Sequence, residues 1–177
     1  MHLKLLLLFT YLVSPPLCAQ KTDKEAPINI EADRVEMHER DGLSIYKGNV
    51  KITKGSIQIT GDEILIQNRN GKLEHIKING KPATFFQLND LKEEVSAQSF
   101  QMKYLAENSM LELKQQALLV KNQNRFSSEH IIYDAHNDIV TAGHDTATAT
   151  TTTEQPRVKI TLHPEQPPEQ TRPTQPQ

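Results

Sequence analysis

The segment Gly48-Asn49-Val50-Lys51-Ile52-Thr53-Lys54-Gly55-Ser56-Ile57-Gln58-Ile59-Thr60-Gly61-Asp62-Glu63-Ile64-Leu65-Ile66 decides how this chain is read. Val50 and Ile52 stand two apart before Lys54-Gly55, and Ile57 and Ile59 two apart after it. Period two is the signature of a strand with one face toward a core. A Lys-Gly step between two such runs supplies the positive φ that a tight hairpin needs. Beyond Gly61-Asp62 the alternation resumes at Ile64 and Ile66. Helical spacing is absent throughout, so the segment reads as paired strands.

The pattern extends in both directions. Ile28/Ile30, Val35/Met37, Leu43/Ile45 and Ile76/Ile78 are further i, i+2 pairs, and Asp41-Gly42, Gly48-Asn49, Asn70-Gly71 and Asn79-Gly80 are further turn dipeptides. Short strands bounded by hairpin signals at this spacing indicate a sandwich, jelly roll or barrel. Residues 90–113 are the one helix candidate, but Ser96, Ser99 and Asn108 interrupt it. Val95, Ala97, Phe100, Met102 and Tyr104 fit period two with one bulge-like step, so strands are expected there too. Between residues 28 and 155 the only proline is Pro82.

A shift of 67 residues brings apolar positions onto apolar positions: Ile30 onto Ala97, Val35 onto Met102, Val50 onto Ala117, Ile52 onto Leu119, Ile64 onto Ile131, Ile66 onto Tyr133. Ile45 falls on Glu112 and Ile57 on Asn124. Two in-phase alternating sequences coincide in this way without being related, and a stacked β repeat does so as well; both readings stand.

The flanks differ in kind. Lys4, the apolar run 5–13 and the break at Ser14-Pro15-Pro16 precede Leu17-Cys18-Ala19, which reads as a secretory signal spanning 1–19 and cut after Ala19. A run of nine residues is too short to cross a membrane, where roughly 20 are needed. Cys18 is the single cysteine, so the exported chain would hold no thiol and no disulfide. With Lys4 gone, 19 basic residues face 22 acidic ones, and no basic stripe marks a nucleic-acid reader. Residues 20–27 form a polar lead-in, 28–163 the patterned domain, and 164–177 a Pro/Gln-rich tail expected to be disordered. Val158, Ile160 and Leu162 form a last strand after a Thr-rich connection.

Chemistry-bearing motifs are missing. There is no Gly-x-Ser-x-Gly elbow, phosphate loop or dinucleotide fingerprint. Asp62 and Glu63 are adjacent, so in a strand they point to opposite faces and cannot flank one glycosidic bond. His130, Asp134 and His136 read as polar residues of a solvated face and turn, and Lys47, Lys51 and Lys54 as a solvated strand face. No enzymatic activity, cofactor or metal is expected. The remaining feature is the inward apolar phase: Ile28, Ile30, Met37, Val50, Ile52, Ile57, Ile59, Ile64, Ile66, Phe85, Tyr104, Leu119 and Phe126. It would form either an ordinary closed core or a groove that solvates acyl chains.

Ile28-Asn29-Ile30-Glu31-Ala32-Asp33, the run Gly48–Asp62 and Gly80-Lys81-Pro82-Ala83-Thr84-Phe85-Phe86-Gln87 resemble the OstA-like domain family of lipopolysaccharide-transport proteins over about residues 28–163. The resemblance implies an all-β, open, twisted β-jelly roll of antiparallel strands. Lipid A acyl chains would lie between its sheets, and the inward phase named above would line that groove. It implies a periplasmic carrier stacked head to tail with itself, bridging LptC at the inner membrane to the periplasmic domain of LptD. The subunit edges would be Ile28, Asn29 and Ile30 at one end and Val158, Ile160 and Leu162 at the other. The alternative is a structural β-assembly protein of the envelope that binds no lipid. Gln115-Gln116 departs from the family pattern, standing where Gly-Asn would be the better turn.

Overall fold

Ile57 and Ile59 are in odd phase and Ile64 and Ile66 in even phase, so a strand holding both can face one core only if its register slips between them. The computed structural model, which describes residues 23, 26–89, 92–143 and 157–164, shows that slip repeated in every long strand. The strands are β1 (Asn29–Glu31), β2 (Arg34–His38), β3 (Leu43–Lys54), β4 (Ile57–Arg69), β5 (Lys72–Leu88), β6 (Glu94–Leu105), β7 (Met110–Lys121), β8 (Asn124–Asp134), β9 (Ile139–Ala142) and β10 (Lys159–Thr161). All pairings are antiparallel, in one sheet ordered β1-β3-β4-β5-β6-β7-β8-β10, with β2 also on β3 and β9 also on β8.

One slip in each long strand pair falls on a common line across the sheet, and a second in β4–β5, between Gln67 and Asn68, lies beside their turn. The aligned slips lie between Lys47 and Val50 in β3, Thr60 and Glu63 in β4, Asn79 and Ala83 in β5, Gln98 and Gln101 in β6, and Lys114 and Ala117 in β7. Small residues occupy this crease: Gly61, and the buried Ala83, Ser99, Ala117 and Ser128. A Cβ on Gly61 would come within 2.8 Å of the Asn79 carbonyl oxygen, so the close approach of strands excludes a side chain there. Pro82, which cannot donate to a ladder, sits in the gap between paired residues. The sheet folds along the crease into two layers that share one apolar cluster. This is the antiparallel jelly roll of the sequence reading.

Two turn assignments are corrected. Gly48-Asn49 and Asn79-Gly80 do not close hairpins; they lie inside β3 and β5, at the crease. A glycine that interrupts an alternating run suits a bulge as well as a turn, and only the pairing of neighbours decides between them. Hence Leu43/Ile45 and Val50/Ile52 belong to one strand rather than two, and Ile57/Ile59 and Ile64/Ile66 likewise. Asp41-Gly42, Gly55-Ser56 and Asn70-Gly71 do form turns between strands. The helix candidate 90–113 contains β6 and the start of β7.

The 67-residue shift is carried by the backbone pairing. Lys47↔Glu63, Val50↔Gly61, Ile52↔Ile59 and Lys54↔Ile57 in β3–β4 recur as Lys114↔His130, Ala117↔Ser128, Leu119↔Phe126 and Lys121↔Asn124 in β7–β8. β6 on β7 repeats both β1 and β2 on β3 with the same offset. Gln115 and Gln116 have φ of 65° and 53°, beside 79° and 45° at Gly48 and Asn49. The Gln pair therefore adopts the conformation of the Gly-Asn pair, against its intrinsic preference. The mismatches of the echo fall off the buried files or at their outer margin. Ile45 and Glu112 are both out of phase with the buried residues of their strands, and Ile57 and Asn124 both lie in the row farthest from the crease.

Candidate functional site

Cross-strand partners share a face, so the inward residues form files running across the strands. In one layer a file runs Val35, Tyr46, Ile64, Ile78, Met102, Leu113, Ile131, Ala142. Beside it runs Met37, Ser44, Ile66, Ile76, Tyr104, Leu111, Tyr133, Val140. In the other layer a file runs Ile30, Ile52, Ile59, Phe85, Ala97, Leu119, Phe126, Ile160. Each file is apolar along nearly its whole length and reaches both edges of the sheet.

Of the sequence-assigned groove residues, Val50, Ile52, Ile59, Ile64, Phe85 and Leu119 are buried, and Ile30, Ile57, Ile66, Tyr104 and Phe126 pack partly buried against them. Ile28 and Met37 differ: they are 57% and 59% exposed. Both are in the inward phase but lie at the outer strand edge, where no further strand covers them. Reading the residues one by one overlooked Tyr46, Ile78, Val95, Ala97, Met102, Leu111, Leu113, Ala117, Ile131 and Tyr133. The 67-residue shift, which also sets Ile28 onto Val95, already pointed to six of these, Val95, Ala97, Met102, Ala117, Ile131 and Tyr133. Tyr46 was hidden because its neighbours Leu43 and Ile45 alternate in the opposite phase.

Exposed large apolar residues concentrate at the two sheet edges. Ile28, Val35 and Met37 flank or lie in β1 and β2; Ile139, Val158, Ile160 and Leu162 flank or lie in β9 and β10. Among the described residues Leu73 is the exception, beside the β4–β5 turn. Asn29 pairs inward with Thr53 only. The Thr-rich connection, most of the lead-in and tail, and the leader with its cleavage point lie outside the described residues.

The polar groups of β7, β8 and the β8–β9 turn pair with one another. His130 Nε2 lies 2.9 Å from Glu112 Oε1, which also meets Lys114 Nζ at 2.7 Å. Burial pushes the Glu112 carboxyl up, but the Lys114 and His130 contacts outweigh it and hold the group below its ordinary value. Asp134 accepts backbone N–H groups of His136 and Asn137 and so closes the β8–β9 turn. Burial, with Asp138 beside it, raises the Tyr133 phenol to about 12. No group of three or more His, Cys, Asp or Glu suited to a metal ion occurs among the described residues.

A creased antiparallel sheet closed over apolar files that run to its unpaired edges defines a β-jelly roll scaffold with an apolar interior. Residues 29–139 match the family described as LptA/(LptD N-terminal domain) LPS transport protein, and the chain belongs to that family. It is 32% identical over 148 residues to the lipopolysaccharide export system protein LptH of Pseudomonas aeruginosa, spanning 82% of this chain and 84% of that one. It is 30% identical over 122 residues to LptA of Escherichia coli K12, spanning 68% and 66%. The crystal structure of the Pseudomonas LptH, the LptA-homologous periplasmic component of its lipopolysaccharide transport device, matches with a TM-score of 0.69 at 31% identity, over 81% of this chain and all of that one. The chain is thus a lipopolysaccharide-transport protein of the LptA type, in a family of transport proteins.

Proposed function

We propose that the protein is a periplasmic carrier that holds the acyl chains of lipopolysaccharide between its two layers and hands them along a head-to-tail array of copies, from LptC at the inner membrane to the periplasmic domain of LptD. The observation that carries this reading is the set of edge-to-edge apolar files. An acyl chain lying along a file gains about 0.8 kcal/mol per buried methylene. Ile64, Ile78 and Leu113 are fully buried, so loading parts the layers. Side chain–side chain contact is then exchanged for side chain–lipid contact, and water stays excluded.

The internal repeat supports a specific geometry for the array. β10 pairs with β8 as the far half of β5 pairs with β4, and β1 stands to β3 as β6 stands to β7. The β5–β6 junction is therefore a template for β10 of one copy against β1 of the next. Phe85↔Ala97 translates into Ile160 against Ile30, Thr84↔Gln98 into Lys159 against Glu31, and Gln87↔Val95 into Leu162 against Ile28. The other layer follows as Ala142 against Val35 and Val140 against Met37. Exposed apolar residues thus meet partners, the files continue into the next copy, and unpaired edges find ladders.

Native mass spectrometry of the purified protein with lipopolysaccharide tests the reading. One lipid per subunit, lost on Phe85→Glu, is the expected result. Oligomers with no lipid adduct would favour a structural assembly protein of the envelope instead.

A further inference from the structure

The free margins of the two layers, opposite the crease, are treated differently in the two halves of the chain. Lys121 ends β7 in the inward phase: it pairs with Val95, which is 2% exposed. A charged group at that position would ordinarily turn outward to water. Its ammonium instead contacts Asp138 Oδ2, from the β8–β9 turn of the opposite layer, and lies 3.6 Å from Glu93 Oε2. The Lys121 side chain is only 16% exposed. Glu93 is held in turn by the side-chain amides of Asn89 and Asn122, and Asp138 by the Tyr133 hydroxyl at 3.4 Å. The contact borders a half-open cleft of about 320 Å³, lined by Lys121, Asn122, Asn124 and Phe126 from one layer and by Asp138 and Val140 from the other.

The corresponding margin of the first half lacks this link. Lys54 has the place of Lys121, paired with Ile57 as Lys121 is with Asn124. The turn facing it carries Asn70-Gly71, and Gly71 has open space where a Cβ would be. Among the described residues Lys54 makes no ion pair.

We propose that Lys121, Asp138 and Glu93 form a clasp across the mouth of the interior, which limits the rate at which an acyl chain passes between the layers in the second half and leaves the first half as the faster entrance. The inference rests on the carrier reading and adds control of access to it. The clasp is polar and stands at the rim of a half-open cleft in which Phe126 and Val140 are the apolar walls. Opening it releases ionic contacts at the surface while the files behind stay intact.

The test is stopped-flow uptake and release of a neutral probe, a pyrene-labelled monoacylglycerol, so that removing a charge does not change attraction to the headgroup. Asp138→Asn and Lys121→Met are expected to raise both rates about twofold to fivefold, the range an ion pair of up to about 1 kcal/mol supplies. Lys54→Met should leave them unchanged. Amide exchange without probe, faster in β9 of Asp138→Asn than in the wild type, is the expected second readout. Rates and exchange that match the wild type in variants that take up probe overturn the clasp alone. A wild type that takes up no probe overturns the carrier reading, and the gating role with it.

Discussion

Phe85 and Ile160 hold the same place in the two halves of the chain: Phe85 pairs with Ile59, and Ile160 pairs with Phe126, 67 residues further on. Their surroundings differ on the other side. Phe85 continues to Ala97 in β6 and is 6% exposed, whereas Ile160 ends its file and is 55% exposed. The second half thus repeats the first up to the point where a further strand would follow. A second copy of β1 has the registers to be that strand.

The junction proposed from this relation sets Lys159 of one copy opposite Glu31 of the next, both on the outer face. Lys159→Glu should shorten the array, and mixing it with Glu31→Lys subunits should restore one junction in each mixed pair. Sedimentation velocity reads both. Removing residues 157–177, and β10 with them, should abolish the array. Filaments persisting in that truncation at high concentration would refute strand pairing at this edge.

Interior and edge are separable. Ile59→Asp or Phe85→Glu places a carboxylate in a file where it has no partner, a change that costs several kcal/mol unless the layers part. Lipid binding should be lost, and array length kept provided the variants remain folded by circular dichroism. Normal lipid adducts in both variants would exclude this layer's file as the binding surface.

The crease has its own prediction. If Gly61 served only a flexible turn, alanine there would be neutral or mildly stabilising by about 0.4–1 kcal/mol. In the folded sheet its Cβ would meet the Asn79 carbonyl at 2.8 Å and an Ile78 methyl at 2.9 Å. Gly61→Ala should therefore destabilise by about 1–3 kcal/mol, as overpacking does. Urea unfolding measures it, and an unchanged midpoint would mean that the layers are not drawn together at this point.

The fold class and most of one layer's file were legible in the sequence, because Val50, Ile52, Ile57 and Ile59 alternate without interruption. The crease was visible only as breaks in phase. Gly48-Asn49 looks like a hairpin until it is known that Val50 continues the strand that began at Leu43. Gln115-Gln116 gave no signal of its own, since its positive φ values are imposed by neighbours rather than by the residue type. Ile28 and Met37 read as interior because phase alone says nothing of whether a further strand lies alongside. The clasp was illegible for a related reason: Lys121 and Asp138 meet across layers, and no periodicity within one strand encodes that meeting.

Acid sensitivity should trace in part to Glu112. Its ordinary pKa is 4.5, and in the folded protein the Lys114 and His130 contacts, outweighing burial, hold it lower. A carboxyl with a depressed folded value contributes stability that is fully present above its unfolded value and lost as pH falls through the folded one. Lys114→Met should reduce that contribution by removing the ammonium at 2.7 Å, and Glu112→Gln should remove it altogether. Both variants are expected to melt below the wild type at pH 7. As the pH is lowered from about 4.5 the wild type should converge on Glu112→Gln, because protonated Glu112 no longer attracts either partner. Thermal melts across that range decide the matter. A deficit in Glu112→Gln that stays constant down to pH 3 would mean that the side chain acts through packing on the outer face rather than through its charge.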